Sequence, residues 1–283
     1  VSPGENVLAL RVRVHSVVSE QLVKMSQYAD FPLAGIFRKV TLYQVPDAHI
    51  GALWLTPRFD KEYRDAAIAV RVAVDNASDK PFSAALRFGL KDGAGNAVPI
   101  EARAQRIEAK AWSRAEDACD VRVPNPKKWS AEHPNLYDLT VELVDGGRES
   151  SYVTQRIGFR QTEVRGTEIL INGRPVKFRG TCHHDSHPTM GRAVTPELTQ
   201  QDLTMMKEAN LNSVRTSHYP PIPELISIAD ELGLYVEDEA SFCWADVSHD
   251  LINTPRIIQL EAELLERDRN HPSPFMWSMC NES

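Results

Sequence analysis

The sequence predicts a multi-domain protein in which an all-β part is followed by repeated strand–helix units. Two patterns lead to this prediction: short runs with apolar residues at every second position fill the first half of the chain, and strand and helix patterns alternate from about residue 166. A third observation concerns function, because polar side chains recur where the later strands end. At 283 residues the chain has room for two or three domains.

Charge and composition argue against two classes of partner. The formal net charge is −7, so the protein would repel a nucleic acid rather than attract it. No apolar run approaches the roughly 18 residues of a membrane-spanning helix. The chain begins without Met and stops directly after a strand-like run, and we therefore expect a piece of a longer protein, in a compartment that the sequence leaves open. Four scattered cysteines are expected to be free, mostly buried thiols: Cys119, Cys182, Cys243 and Cys280.

Residues 1–56 contain two strand-like runs separated by a long link. The runs are GENVLALRVRV, residues 4–14, and GIFRKVTLYQV, residues 35–45. Two strands cannot bury a core by themselves. We therefore expect this part to be the end of a β domain.

The pattern of residues 57–165 predicts an immunoglobulin-like β-sandwich. Three alternating runs, AIAVRVAVDN, SAALRFGLKD and YDLTVELVDGG, are separated by turn signals and show no helical period. Trp112 and Trp129 could line a sugar site, but packing in the core or between domains is the favoured interpretation.

The pattern of residues 166–283 is typical of parallel strands joined by helices. Strands are predicted at PVKFRG, LNSVRT, LYVED and PFMWSM. Thr195 is the expected N-cap of one intervening helix and Gly233 the expected end of another. A barrel and an open sheet both fit this pattern, and the absence of a glycine-rich phosphate loop argues against a nucleotide-binding sheet.

Polar side chains recur at the carboxyl ends of these four strands, as on the active face of a (β/α)-barrel. They are His183, His184, Asp185 and His187 after the first strand, Arg215, His218 and Tyr219 after the second, Glu237, Asp238 and Glu239 after the third, and Asn281 and Glu282 after the fourth.

Each group also has a structural interpretation. The histidine cluster could bind a metal, although neighbouring side chains on an extended segment point to opposite sides. The three adjacent acids could brace the barrel through salt bridges. Arg215 is costly to bury unpaired, so we expect it to hold a carboxylate.

The chain resembles glycoside hydrolase family 2, the β-galactosidase and β-glucuronidase family. The resemblance rests on motifs that occur in order, above all NLNSVRTSHYP and RDRNHPSPFMWSMCNES, with weaker matches at GIFRKV, WSAEHPNLYDLTVEL, GFRQTEV, INGRPVKFRG and ADELGLYVEDEA. It implies that 1–56 is the C-terminal part of a jelly-roll sugar-binding domain, 57–165 an immunoglobulin-like sandwich, and 166–283 the first half of a TIM barrel.

The resemblance also implies roles for individual residues in a retaining β-glycoside hydrolase. Glu282 matches the general acid/base, and Asn281 the residue that binds the sugar 2-hydroxyl. His184 and His218 match sugar-contacting histidines, and Asp185 is expected to join them in substrate binding. Arg215 matches the arginine that orients the nucleophile, which is expected on a later strand beyond residue 283.

Two departures from the family pattern affect metal and substrate. Metal-dependent β-galactosidases carry Glu-x-His where this chain has Cys243 and Ala245, so we expect no magnesium site and no cofactor. The first-strand motif is CHHD instead of Asn-Arg-His-Glu. β-Galactosidase is the favoured activity, and β-glucuronidase or another family 2 β-glycosidase is the alternative.

Two other classes of function stay open: a non-catalytic carbohydrate-binding or scaffolding protein, and a metal-dependent hydrolase built on HHDSH. The expected partner is a carbohydrate. Whether the full-length protein forms a homo-oligomer is left open.

Overall fold

The structure, a computed structural model, describes residues 4–12, 36–241, 243 and 254–282. Neither residues 4–12 nor residues 36–47 contain a strand, so the two predicted strands are not found in these described parts. Their apolar side chains, such as Val7, Leu42 and Tyr43, are exposed. Alternation indicates a strand only where a neighbouring strand and a buried face complete it, and neither is provided here by the described residues.

The β-sandwich consists of two antiparallel four-stranded sheets with the orders β1–β2–β6–β4 and β5–β3–β7–β8. It confirms the predicted immunoglobulin-like part. The strands are β1 (Ala48–Phe59), β2 (Ala66–Asn76), β3 (Phe82–Asp92), β4 (Glu101–Ala102), β5 (Gln105–Ala109), β6 (Ser113–Val123), β7 (Tyr137–Asp145) and β8 (Arg148–Ile157).

The core of the sandwich follows the alternation that the sequence shows. Ile68, Val70, Val72 and Val74 of β2 are buried against the inward residues of β7, of which Leu139 is one. The domain boundary predicted between residues 56 and 57 falls within β1, which pairs with β2 along its whole length. The first strand of the sandwich therefore begins at Ala48.

The two tryptophans behave differently. Trp129 is fully buried, and its indole N–H donates to the carbonyl of Asp230 at 2.9 Å. Its ring packs edge-on against Tyr235, which lies in residues 166–283, the predicted barrel start and here called the barrel part. This confirms packing between domains. Trp112, by contrast, is exposed in the turn before β6 with φ 54°, so the favoured packing role was wrong for this residue.

Close backbone approach joins the sandwich to the barrel part. A Cβ on Gly158 would lie 2.7 Å from side-chain atoms of both Trp129 and Pro272, so only glycine fits there. A three-stranded antiparallel sheet follows, formed by β9 (Thr162–Arg165), β10 (Glu168–Ile171) and β11 (Arg174–Pro175). The predicted strand PVKFRG is therefore misplaced, since the first parallel strand begins only at its last residue, Gly180.

The barrel part is a parallel sheet of four strands in sequential order, with helices between them, as predicted. The strands are β12 (Gly180–His183), β13 (Ser213–Thr216), β14 (Tyr235–Glu239) and β15 (Pro274–Ser278), and the helices are α1 (Pro196–Glu208), α2 (Pro223–Leu232) and α3 (Thr254–Asp268).

The helix ends agree with the sequence signals. Thr195 caps α1 by accepting a hydrogen bond from the backbone N–H of Leu198, and Gly233 ends α2 with φ 75°. Val214 and Val236 bury one face of the sheet against Leu203 and Leu225 of the helices. None of the described helices is long and apolar enough to span a membrane. All four cysteines are free, and Cys182 is exposed.

Candidate active site

Strand register places the candidate site on one face of the parallel sheet, near the carboxyl ends of β13, β14 and β15. Arg215 pairs with Glu237, and Glu239, two residues further along β14, pairs with Ser278 of β15. Side chains of paired residues in a parallel sheet point to the same face, and so do residues two apart. Arg215, Glu239 and Ser278 therefore converge, and Glu237 and Glu239 lie within β14 instead of following it.

Glu239 is the centre of a buried hydrogen-bond network. Its side chain is fully buried. Oε2 accepts hydrogen bonds from the Arg215 guanidinium, at 2.7 Å from Nε, and from the Ser278 hydroxyl at 2.7 Å, while Oε1 lies 2.7 Å from His218 Nδ1. The backbone N–H of Glu239 donates to Thr216 Oγ1 at 2.9 Å. These donors compensate a carboxylate that would otherwise be costly to bury.

Arg215 holds a carboxylate, as the sequence predicts. Its Nε also lies 3.5 Å from Glu237. Burial lowers the pKa of Arg215, but the hydrogen bonds and negative charge of Glu239 outweigh burial and raise it. Burial raises the pKa of Glu237. The arginine is thus fixed as a cation in the floor of the site.

Asn281 is oriented at both ends of its amide. Oδ1 accepts from Arg215 Nη2 at 3.0 Å, and Nδ2 donates to the Cys243 thiol sulfur at 3.3 Å. Both Asn281 and Cys243 are buried. The next residue, Glu282, is exposed and has φ 51°, a left-handed conformation that turns the chain directly after the strand end. A carboxyl open to solvent therefore stands beside a fixed carboxamide.

Two histidines lie side by side at the same end of the sheet. The rings of His184 and His218 are 5.5 Å apart and nearly perpendicular, and the Tyr219 hydroxyl lies 3.4 Å from His184 Nδ1. Burial, followed by the nearby His218, lowers the pKa of His184, which favours its neutral form. Neutral imidazoles can both donate to and accept from sugar hydroxyls.

Asp185 is buried and bound to the N-terminal segment. Its Oδ2 accepts from Arg38 Nη2 at 2.6 Å and from the backbone N–H of Ile222 at 2.9 Å. Arg38 also donates to the carbonyl of Arg192 at 3.0 Å. Since Asp185 is 1% exposed, these contacts favour a role in joining loops over the direct sugar contact that was expected.

The opposite face of the sheet buries further acids against α3. Asp238 lies near Asp268, and burial together with the charge of Asp268 raises the pKa of Asp238 to about 8. Burial, together with the charge of Glu239, raises the pKa of Glu261 to about 7. Both carboxyls are neutral over part of the physiological pH range.

The histidine cluster after the first strand is not assembled as one group. His183 lies in β12, and its Nε2 is 3.0 Å from Asp202 of α1. His187 contacts Thr189 in its own loop. In the part of the chain that the structure describes, no group of three or more His, Cys, Asp or Glu is arranged to hold a metal ion. Ala245 lies outside the described residues.

The structure thus brings together most of the predicted polar residues. Arg215, His218 and Asn281 share one network, and His184 lies against His218. No sequence signal distinguished Glu239 from Glu237 and Asp238, although Arg215 was expected to hold a carboxylate. Arg38 was missed as a contact of this end of the sheet, because no local pattern marks a contact across 147 residues.

Comparisons with known proteins agree with this architecture. The profile described as "Glycosyl hydrolases family 2" matches residues 48–160, and "Glycosyl hydrolases family 2, TIM barrel domain" matches residues 162–283. A β-galactosidase of Aeromonas hydrophila is 37% identical over 258 residues and one of Pseudoalteromonas haloplanktis 34%, covering 89% and 88% of this chain. The chain spans 25% of the length of each of these relatives.

Among solved structures, the β-glucuronidase of Ruminococcus gnavus in complex with D-glucuronic acid is similar, with a TM-score of 0.69 and 27% identity over 84% of this chain and 38% of that one. The two profiles together cover nearly all of residues 48–283. The chain therefore belongs to glycoside hydrolase family 2, a family of retaining glycoside hydrolases.

Proposed function

We propose that this chain is part of a retaining β-glycosidase and contributes its general acid/base, Glu282. The observation that carries the proposal is the fixed arrangement at the end of β15, where Arg215 and Cys243 orient the Asn281 amide and Glu282 follows it in the chain. Such a carboxyl can protonate the leaving glycosidic oxygen and later deprotonate the attacking water.

Asn281 and the two histidines would bind the sugar. An amide held at both ends presents its remaining hydrogen-bonding capacity in one direction, which suits a contact with the 2-hydroxyl that strengthens in the transition state. His184 and His218 would contact other hydroxyls. Asp185 would act indirectly, because Arg38 and the Ile222 backbone occupy Oδ2.

The nucleophile would be a second carboxylate about 5–5.5 Å from Glu282, the spacing of retaining enzymes. Glu239 does not suit this role, because it is fully buried and bound by three side chains. Arg215, which Glu239 and Asn281 hold in place, would orient the nucleophile. The nucleophile would come from barrel strands that follow this chain in the longer protein.

A division into three domains completes the proposal: the residues before β1 from a jelly-roll domain, Ala48 to about residue 165 the sandwich, and 166–283 the barrel start. The Arg38–Asp185 contact supports an N-terminal domain that packs against the active face. The sandwich, by contrast, would contribute no residue to this active site.

A β-galactoside is the favoured substrate, because the relatives at 34–37% identity are named β-galactosidase. A β-glucuronide is the second candidate, supported by the similarity to a β-glucuronidase at 27% identity. A non-catalytic carbohydrate-binding protein is the alternative from another class.

The test is turnover of aryl β-galactosides and aryl β-glucuronides by the longer protein, with NMR to identify the anomer released first. We expect the galactoside to be hydrolysed with retention, and the 283-residue chain alone to be inactive because it lacks the nucleophile. Inversion, or no turnover of either substrate, would contradict the proposal. Turnover by the chain alone would show that the second carboxylate lies within it.

A further inference from the structure

A cavity lies between the sandwich and the barrel part, at the amino end of β15 and thus at the opposite end of that strand from Asn281. It has a volume of about 490 Å³. Its walls are the second half of β1, residues 158–162 after β8, and residues 269–272 between α3 and β15. The volume lies in the range of small-molecule sites.

The lining of this cavity is strongly basic. It includes Arg58, Arg160, Arg269 and His271, and no aspartate or glutamate. This is unusual in a protein with net charge −7, and it would raise the local concentration of anions.

Nearby carboxylates neutralise these arginines only in part. Glu266 lies 3.9 Å from Arg269 and accepts a hydrogen bond from the Trp54 indole at 2.8 Å. Asp230 is bound by His271 at 2.5 Å and by the backbone of Ser273. Within the described residues, Arg58 and Arg160 have no carboxylate partner.

Arg160 is the most informative of the three. Its guanidinium donates to the Pro274 carbonyl at 2.7 Å and to the Thr162 hydroxyl, both neutral acceptors, and its Nε is buried without a partner among the described residues. Burial lowers its pKa to about 10. Both hydrogen bonds of this half-buried guanidinium go to neutral oxygens, and the charge of the nearby Asp230 compensates burial only in part. An anion in the cavity would add to that compensation.

Hydrogen bonds fix the walls of the cavity relative to one another. The Asn270 side chain bonds both the N–H of Leu55 at 2.9 Å and the carbonyl of Leu53 at 2.8 Å, and Gln161 accepts from the N–H of Phe59 at 2.9 Å. These bonds tie β1 to the two other walls. Preformed walls reduce the entropy that binding would otherwise cost.

We propose that this cavity binds an anionic sugar, a monosaccharide unit carrying a carboxylate or phosphate group. The guanidinium of Arg160 would bind the oxyanion, assisted by Arg58 and Arg269, since planar guanidinium groups match the geometry of carboxylate and phosphate. The sugar hydroxyls would face the polar walls. This accessory site is independent of the proposed glycosidase activity.

The test is calorimetric titration of the 283-residue chain with galactose 6-phosphate and glucuronate, with galactose as the neutral comparison and inorganic phosphate as the simplest anion. We expect saturable binding of both anionic sugars that weakens as salt is added, whereas any binding of galactose should be the same in the unmodified chain and in Arg160→Gln. Arg160→Gln should weaken binding about tenfold or more. Arg58→Gln, an exposed position on β1, provides a second variant if Arg160→Gln does not fold.

The matched control is Arg87→Gln, an exposed arginine of β3 that pairs with Glu142 and does not line the cavity. It should bind like the unmodified chain. If the anionic sugars do not bind, or bind Arg160→Gln and Arg58→Gln as tightly as the unmodified chain, the proposal is overturned. Preference for glucuronate or for galactose 6-phosphate identifies the anion. Because turnover is not measured, either result leaves the glycosidase proposal to its own test.

Discussion

The sandwich and the barrel part bury very different side chains. Among the described residues, Asn76 is the one buried polar side chain of the sandwich, which otherwise fills its core with aliphatic and aromatic groups. The barrel part buries acids, hydroxyls and amides at the ends and on both faces of its sheet, including Glu239, Asp238, Asp268 and Asn281.

This difference separates the part whose apolar core provides stability from the part in which we propose the active site. Burying apolar groups contributes about 25 cal/mol for each Å² removed from water, whereas burying an ion pair is often no better than neutral. Perturbed acids in a concave, hydrogen-bonded setting are typical of functional sites. The barrel part therefore gives up stability at the end of the sheet where Asn281 and Glu282 lie.

A large effect on stability is expected in the sandwich core. Leu139 is fully buried between the sheets, and Leu139→Ala should lower the free energy of unfolding by about 2–5 kcal/mol, through lost burial and a cavity. Urea denaturation followed by circular dichroism measures this. Leu8→Ala, at an exposed position, is the control and should change stability by less than about 0.5 kcal/mol. Similar values for the two variants would contradict the assignment of the core.

A smaller effect is expected at the Arg38–Asp185 pair. Arg38→Ala leaves the buried Asp185 carboxylate without its cation, which should cost about 1–3 kcal/mol. Arg87→Ala removes an exposed ion pair of the sandwich and should cost about 0–1 kcal/mol. Equal losses in urea denaturation would mean that the N-terminal segment does not bind the barrel part through Arg38.

The pH dependence of stability should arise mainly in the barrel part. Burial and Asp268 raise the pKa of Asp238 to about 8 in the folded protein, so the folded state holds a proton that the unfolded state has lost above about pH 4. Stability therefore falls as pH rises between these values, by at most about 1.4 kcal/mol per pH unit from this group. Glu261, with a pKa of about 7, acts in the same direction.

Asp238→Asn should flatten this slope, which urea denaturation at several pH values would measure. Asp120→Asn, on the exposed side of β6, should leave the slope as it is. A slope that survives in Asp238→Asn would mean that the proton is held elsewhere.

The smallest effect is expected at Trp112. Because this side chain is 72% exposed, Trp112→Ala should change the free energy of unfolding by less than about 0.5 kcal/mol. Trp129→Ala, in contrast, should cost about 3–5 kcal/mol, since the ring is fully buried. Thermal denaturation of the two variants compares them, and a large loss for Trp112 would contradict its exposed position.

The difference between the apolar sandwich core and the polar barrel part also explains how much of each region could be predicted from the sequence. Alternation was sufficient for β2, β3 and β7, where one face is buried and the period is plain. It was insufficient for β6, whose inward positions include Asp117 and small residues, so that apolar alternation is weak. It misled in residues 4–12, where apolar side chains alternate but remain exposed.

In the barrel part the sequence predicted the last three strands and the polar strand ends, but it misplaced the first strand and did not predict the hydrogen-bond partners. The pairing of Arg215 with Glu237, and thus its approach to Glu239, depends on strand register that no local signal specifies. The binding of Arg38 to Asp185 depends on tertiary structure alone. The expectation that Arg215 holds a carboxylate succeeded because the cost of an unpaired buried charge does not depend on the partner.

The most direct test of the central claim, that the barrel part carries the acid/base of a glycosidase at Glu282, is the leaving-group dependence of Glu282→Gln in the longer protein. Hydrolysis of β-galactosides with poor leaving groups should slow by about 10²–10⁴-fold, whereas activated aryl β-galactosides, which need little protonation, should slow far less in the glycosylation step. Glu208→Gln, an exposed acid at the end of α1, should slow neither class. Equal slowing of both classes by Glu282→Gln would contradict the account.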